Sequence, residues 1–314
     1  MIVGSTGFVG SNLLATEKFD CSFHSTDIQD AFDVKPDLLV YAGLPAEKYM
    51  ANAQPEKDLE RVRQAFDNIL RIAPRQLVLI STVDVYAHPI DVEESTPIDE
   101  QALQPYGRHR WLLEQMVREA MPDALIVRLP GLYGIHLKKN FLYDLIHYIP
   151  TMLNAEKYEE LSKQSPLIKN SYHYQTGQMY RINALEPQDA AKLREYFKTA
   201  PFNAIHFTDS RAVYQLYPLR CLSGHIALAL SENLRLLNIA VEPVTVEEIY
   251  RQLTGRTFSN PISAVPANYR MRTQYAELFG GKDGYLMDRK YLTEDILSFI
   301  RQSRQLLERG HEDA

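Results

Sequence analysis

The chain is poor in several of the features that mark particular protein classes. Of its 314 residues only two are cysteines, Cys21 and Cys221. They lie far apart without metal-like spacing, which argues against a disulfide framework and against a thiolate zinc site. There is no basic excess: 34 lysines and arginines face 40 acidic residues, a formal net charge of −6. A nucleic-acid partner would select the opposite balance. No uninterrupted apolar run approaches the roughly 18 residues needed to span a bilayer. The N-terminus has no charged region followed by an apolar one, so no signal peptide is read and a cytoplasmic location is expected. The nine histidines form no metal-like cluster, and no metal site is expected. What remains is the composition of a globular domain, 45% hydrophobic and 24% charged.

The first 135 residues alternate strand-like and helix-like segments. Ile2-Val3 leads straight into a glycine loop, Phe8 to Lys18 reads as a helix, and Cys21 to Ser25 as a short strand. "DLLVYAG" (37–43), "QLVLIS" (76–81) and "ALIVRL" (124–129) are continuous apolar runs, the pattern of strands buried on both faces. Leu59, Val62, Phe66, Ile69 and Ala73 recur at spacings of three and four between Pro55 and Pro74, which marks one face of a helix. Pro105 opens another helix, where its missing N–H costs nothing, and that helix runs to Met121-Pro122. Such alternation predicts an α/β fold with a doubly wound, mostly parallel sheet. After about residue 136 the pattern loosens, with strand candidates at "RIN" (181–183), "AIHFT" (204–208) and "LNIAV" (237–241). The expected division is a sheet domain over 1–135 and a smaller, partly interleaved lobe over 136–314. Segments near 180–208 and 236–242 are expected to return to the sheet.

Three stretches carry chemistry. "GSTGFVG" puts glycines at positions 4, 7 and 10 between the first strand and helix. Gly4 suits a tight turn, Gly7 lets a backbone approach a pyrophosphate, and Gly10 allows close helix packing. The helix N-terminus then offers free N–H groups to phosphates. Thr82 and Asp84, in "STVDVY" (81–86), follow a strand at the end where open parallel sheets bind ligands. A capped turn would also use these residue types. Tyr106 and Arg110, in "QPYGRHRWLLEQ" (104–115), lie one helical turn apart on one face. That spacing fits an acid/base tyrosine beside a fixed cation, and alone it fits better a surface tyrosine beside a solvated arginine. "SRAVYQLYPLR" (210–220) places Tyr214 and Tyr217 near Arg211 and Arg220, a combination that suits a nucleotide-binding rim or, more often, an amphipathic interface.

Taken together, "GSTGFVG", "PDLLVYAG", "LISTVDVY", "PYGRHR" and "RLPGLYG" resemble, in order and spacing, the extended short-chain dehydrogenase/reductase family. This is the group of NAD-dependent nucleotide-sugar epimerases, dehydratases and reductases. The likeness covers residues 1–135 well, and "STDIQD" (25–30) is similar to the compact second-strand region of dTDP-4-dehydrorhamnose reductases. It implies a Rossmann sheet with a substrate lobe. The cofactor would rest on Gly4, Ser5, Thr6, Gly7, Phe8, Val9 and Gly10. Asp27 and Ile28 would flank its adenosine, Ala42, Gly43 and Leu44 its ribose and phosphates, and Ser81, Pro130 and Gly131 the nicotinamide side. Thr82 matches the catalytic Ser/Thr and Tyr106 the proton-transferring tyrosine. Arg110 falls where the family usually has the lysine that holds the nicotinamide ribose and lowers the tyrosine pKa. No arginine stands near the end of the second strand, so NAD is the expected cofactor, with NADP left open.

The resemblance has departures. Arginine replaces lysine at 110, Val62 stands where asparagine is common, and no N-V-x-G-T signature appears. A cation about 4 Å from a phenol is worth roughly 4 kcal/mol at an effective dielectric of ~20, so arginine could still favour a tyrosinate although it cannot relay a proton. Asp84 matches the Glu of the Asp-Glu pair in 4,6-dehydratases, but Val83 replaces the Asp. The expected function is an NAD(P)-dependent sugar or nucleotide-sugar oxidoreductase or epimerase that works as a homodimer through the helices at 55–73 and 105–121. The alternatives are a dinucleotide-binding sensor or scaffold without turnover, and a dehydratase using Asp84.

Overall fold

A computed structural model describes residues 1–309. In chain order its elements are β1 (Ile2–Val3), α1 (Phe8–Thr16), β2 (Ser22–Phe23), β3 (Leu38–Tyr41), α2 (Lys48–Ala53), α3 (Pro55–Ile72), β4 (Gln76–Thr82), α4 (Pro105–Ala120) and β5 (Leu125–Leu129). There follow β6 (Gly131–Tyr133), α5 (Phe141–His147), β7 (Met152–Asn154), α6 (Ala155–Gln164), α7 (Pro166–Ser171), β8 (Tyr172–Gln175), β9 (Met179–Ile182) and α8 (Pro187–Thr199). The last are β10 (Val213–Tyr214), β11 (Leu216–Pro218), α9 (Leu222–Ser231), β12 (Leu236–Asn238), β13 (Val244–Thr245), α10 (Val246–Thr254) and α11 (Arg289–Arg309).

Six strands form one parallel sheet in the order β12-β5-β4-β3-β1-β2. Chain order therefore reverses between β1 and β3, and the crevice for a ligand in such a sheet lies beyond the carboxyl ends of those strands. The apolar runs are its buried centre: Val40, Leu77, Val78, Leu79, Ile126 and Val127 are almost inaccessible. On one face Val62, Ala65, Ile69 and Ile72 of α3 pack with Leu39, Leu79 and Leu113. On the other, Leu13 of α1 joins Tyr217, Leu222, Ile226 and Leu237. Each aliphatic side chain so buried contributes about 1.5–3 kcal/mol.

The chain divides into two compact units. The first comprises Met1–Leu137, Val213–Val244 and Asn268–Leu292. The second comprises Lys138–Ala212, Thr245–Ala267 and the chain from Thr293 onward. Leu236–Asn238 is the edge strand of the large sheet, paired with β5. The 180–208 region does not return to that sheet. Its strand β9 pairs antiparallel with β7 and β8 in the second unit, over a core of Leu153, Leu161, Ile168, Leu193 and Phe197. The expected strand "AIHFT" is a short 3-10 turn, Ala204–Phe207, because the Asn203 side chain caps it and diverts the backbone from an extended path. Among the described residues no helix is long and apolar enough to cross a membrane.

Candidate active site

The glycine loop turns sharply out of β1. Gly4 has φ +92°, and a Cβ there would lie 2.3 Å from the Ala42 carbonyl oxygen, so the loop presses against the end of β3 in a way only glycine permits. The Gly4 and Ser5 amides donate to the Phe23 carbonyl at the end of β2. Gly7 caps α1 in extended backbone, and the first amides of that helix have no intrahelical acceptors. A cradle without side-chain bulk, opening on a helix N-terminus at the sheet's reversal point, fits a dinucleotide pyrophosphate. Ser5, Thr6, Phe8 and Val9 would meet it through their backbone, with Gly10 buried beneath. Ala42, Gly43 and Leu44 follow β3 directly, and Pro130 and Gly131 follow β5, so all five lie at the same end of the sheet. Asp27 and Ile28 start the short turn after β2. The Asp27 carboxylate already accepts from the His24 amide at 2.6 Å.

Thr82 ends β4, and its hydroxyl accepts from the Asp84 amide at 3.2 Å. The first turn of α4 lies against this bend: a Cβ on Gly107 would meet the Asp84 carbonyl oxygen at 2.0 Å. That approach seats the adjacent Tyr106 beside the bend, where Arg110 and Asp84 both act on its phenol. Helix α2 fixes the arrangement with two side chains one turn apart. Asn52 Oδ1 accepts from the Tyr106 amide at 2.9 Å, and Lys48 Nζ donates to Asp84 Oδ1 at 2.6 Å. Tyr269 completes the group, its hydroxyl 3.3 Å from Asp84 Oδ1 and 3.4 Å from Lys48 Nζ.

Arg110 is placed differently from the expectation. Its guanidinium is buried, donates to both oxygens of Asp58 at 3.1–3.3 Å and to the Pro45 carbonyl at 2.9 Å. His109 Nδ1 lies 2.8 Å from the same carboxylate. The arginine is thus held in an ion pair rather than offered to a ribose, and it reaches Tyr106 only through the ring face, 4.5 Å from the centroid. Burial pushes the Tyr106 phenol up; Arg110 pulls it down, Asp84 and Asp58 push it up, and the net shift is upward. The expected tyrosinate gives way to a protonated phenol. Burial opposes the charge on Lys48, yet Asp84 and Tyr269 prevail and raise its pKa. Burial likewise raises Tyr269.

Ser81 does not face this site through its side chain. Its hydroxyl donates to Glu114 at 2.6 Å in a fully buried network with Arg128, whose NH1 donates to the Tyr86 hydroxyl at 2.6 Å. Of the two readings of the tyrosine–arginine stretch at 210–220, Tyr217 and Arg211 do not form a nucleotide-binding rim. Tyr217 is wholly buried against His225, and Arg211 is tied to Asp209. A 570 Å³ cavity opens where Met1, Asp37 and Leu38 begin their strands, the end opposite the glycine loop, away from the chemistry. Among the described residues no cluster of metal-ligating side chains occurs.

Sequence reasoning missed Asp58, Lys48, Asn52 and Tyr269. Asp58 could have been found: it lies one turn before Val62 on the apolar stripe of α3, where a carboxylate requires a buried cation.

Residues 18–171 match the model of the NAD dependent epimerase/dehydratase family. The match begins after the glycine loop, whose reading therefore rests on its own geometry. No protein among curated sequences matches the chain. Solved structures share its fold. A dTDP-4-dehydrorhamnose reductase from Yersinia enterocolitica superposes with TM-score 0.63 at 12% identity, covering 96% of this chain and 98% of its own. A UDP-glucose 4-epimerase from Thermotoga maritima, with UDP-glucose, gives 0.61 at 12% identity and covers 98% of both chains. A short-chain dehydrogenase/reductase superfamily protein from Agrobacterium tumefaciens, with bound NAD, gives 0.57 at 16% identity, covering 100% and 99%.

Proposed function

With this family domain as the premise, we propose that the protein is an NAD(P)-dependent oxidoreductase or epimerase acting on a sugar or nucleotide sugar. The observation that carries the reading is the buried Tyr106 on the turn of α4 that abuts the Thr82–Asp84 bend, at the same sheet end as the side-chain-free cradle of Gly4. The backbone of residues 4–10 would hold the pyrophosphate, and the loops at 42–44 and 130–131 would flank the ribose and nicotinamide. The dinucleotide bound there supplies hydride acceptance or donation. Thr82 orients the substrate oxygen by hydrogen bonding. Tyr106, kept protonated by its buried setting, donates a proton to that oxygen when a carbonyl is reduced and recovers one when an alcohol is oxidised. Arg110 and Asp58 brace the helix that carries it.

The dehydratase alternative has one carboxylate, Asp84, and that carboxylate is paired with Lys48. Titration calorimetry with NAD, NADH, NADP and NADPH tests the cofactor reading. A dissociation constant of micromolar order for at least one of them, lost in Gly10→Val, is expected. No binding to any of the four would contradict it.

A further inference from the structure

The cavity at the other end of the sheet, where the chain enters β2 and β3, has a volume of 570 Å³. That lies within the roughly 300–1,000 Å³ of clefts that hold small molecules. Its floor is the hydrophobic core itself. Leu13 of α1, Val40 of β3 and Ile226 of α9 are buried members of one apolar cluster, and Leu230 packs against it. Water is poorly held over such a floor, since an ordered water needs about two to four polar partners.

The walls are held in place from outside the cleft. Asp33 and Lys35 have φ of +60° and +52°, a conformation that residues with a side chain seldom adopt. Their amides donate to the Arg71 and Ile72 carbonyls at the end of α3, at 2.8 and 3.1 Å. This tie fixes the strained segment and leaves Val34, between the two residues, exposed on the cleft. Opposite, α9 is anchored through Leu222 and Ala229, which are buried in the core. A strained wall facing an anchored helix keeps the space open before any occupant arrives.

The rim sets the charge of the occupant. Glu17, Lys18, Asp20, Lys35 and Asp37 line it. Asp37 is already paired with Arg75 at 3.0 Å, which leaves two cations among two carboxylates. A cleft lined by one sign of charge concentrates ligands of the opposite sign; this one favours neither. Ser223 of α9 and Cys21 also line the cleft and supply a hydroxyl and a thiol for hydrogen bonding.

We propose that this cleft is a second binding site, for an uncharged small molecule of mainly hydrocarbon surface that carries one hydroxyl or carbonyl group. Its apolar body displaces loosely held water over Leu13, Val40, Ile226 and Leu230, and its polar group meets Ser223. The cleft shares no residue with the loops at 4–10, 42–44 and 130–131, so the site stands apart from the dinucleotide reading.

The test uses the full chain and prodan, an uncharged naphthyl ketone whose emission shifts to the blue in apolar surroundings. Saturable binding with a dissociation constant of micromolar order is expected. At saturation, alkylation of Cys21 by iodoacetamide should slow about fivefold or more, read by peptide mass spectrometry, while Cys221, outside the cleft, reacts as before. The anionic dye 8-anilinonaphthalene-1-sulfonate should protect Cys21 only at concentrations about tenfold higher or more. Ala227→Trp, at an exposed position of α9 that lines the cleft, fills the space and should weaken prodan binding about tenfold or more. The absence of saturable binding, equally fast alkylation of Cys21 at saturation, or equal protection by the anionic dye would overturn the proposal. Protection of Cys21 is read on the unaltered protein, so it decides the matter even if the tryptophan variant misfolds. Failure of the dinucleotide reading would leave these readouts as stated.

Discussion

Two charged clusters lie on either side of Tyr106 and differ in almost every physical respect. The Asp58–His109–Arg110 cluster is sealed: the Asp58 and Arg110 side chains are each 5% exposed, and both oxygens of the carboxylate are engaged. The Lys48–Asp84–Tyr269 cluster is open to water at its lysine. The sealed cluster holds a helix in place, because a buried ion pair resists any loss of one partner. The open cluster meets water through Lys48, whose side chain is 48% exposed. The cation that the motif places beside the phenol is thus committed to a carboxylate as well.

Removing one side of the sealed cluster should have the largest effect on the fold. Asp58→Ala leaves Arg110 charged and unpaired in the interior, and is expected to cost about 3–5 kcal/mol, read as a lower midpoint in urea unfolding. The double variant Asp58→Leu/Arg110→Met should recover most of that loss, since an apolar pair of similar volume avoids the desolvation penalty. A single variant no less stable than the wild type would mean that the pair is not formed in solution.

The second unit sharpens the comparison with two half-buried groups on α5, Asp144 and His147, that make no mutual ion pair among the described residues. Burial raises the Asp144 carboxyl to about 7. Burial, with Arg194, holds the His147 imidazole down to about 4. The folded carboxyl keeps its proton where the unfolded one, near 3.9, has lost it, so Asp144 withdraws stability as pH rises from about 4 to about 7. The folded imidazole stays neutral where the unfolded one, near 6.5, is charged, so His147 adds stability as pH rises from about 4 to about 6.5. The two slopes nearly cancel in the wild type. Asp144→Asn should leave a stability that climbs across that window by roughly 3 kcal/mol, and His147→Gln one that falls by a similar amount. Thermal midpoints measured from pH 4 to pH 7 check both signs.

Lys48→Met is the smallest perturbation of the fold and a telling one for the site. With its side chain half in water, the lysine contributes below about 1 kcal/mol to stability. Asp84 then loses its ion-pair partner beside the Thr82 bend, and turnover should fall about threefold or more with KM little changed. A loss of stability without a change in kcat would reassign the lysine to a structural role.

The sheet was legible because strands buried on both faces must be apolar throughout, and the glycine loop because its turn tolerates no side chain. The places of Thr82 at a strand end and Tyr106 at a helix start were legible from the pattern of strands and from Pro105. The partners were not. Spacing along α4 puts Arg110 on the Tyr106 face but says nothing of which carboxylate it selects; only Asp58, out of place on an apolar stripe, hinted at the answer. Lys48 lies in a short helix whose apolar pattern is weak, and Tyr269 reaches Asp84 across 185 residues of chain. The segment 204–208 misled because a short apolar run reads alike in a strand and in a capped turn.

The most direct test of the account is the rate at which Tyr106→Phe turns over a nucleotide sugar. The probes are dTDP-4-dehydrorhamnose with NADH or NADPH, and UDP-glucose with NAD, followed by absorbance at the reduced nicotinamide band and by product chromatography. The account predicts turnover by the wild type and a loss of about 100-fold or more in the variant, since the ring remains and only the transferable proton is gone. A variant that turns over as fast as the wild type would contradict it.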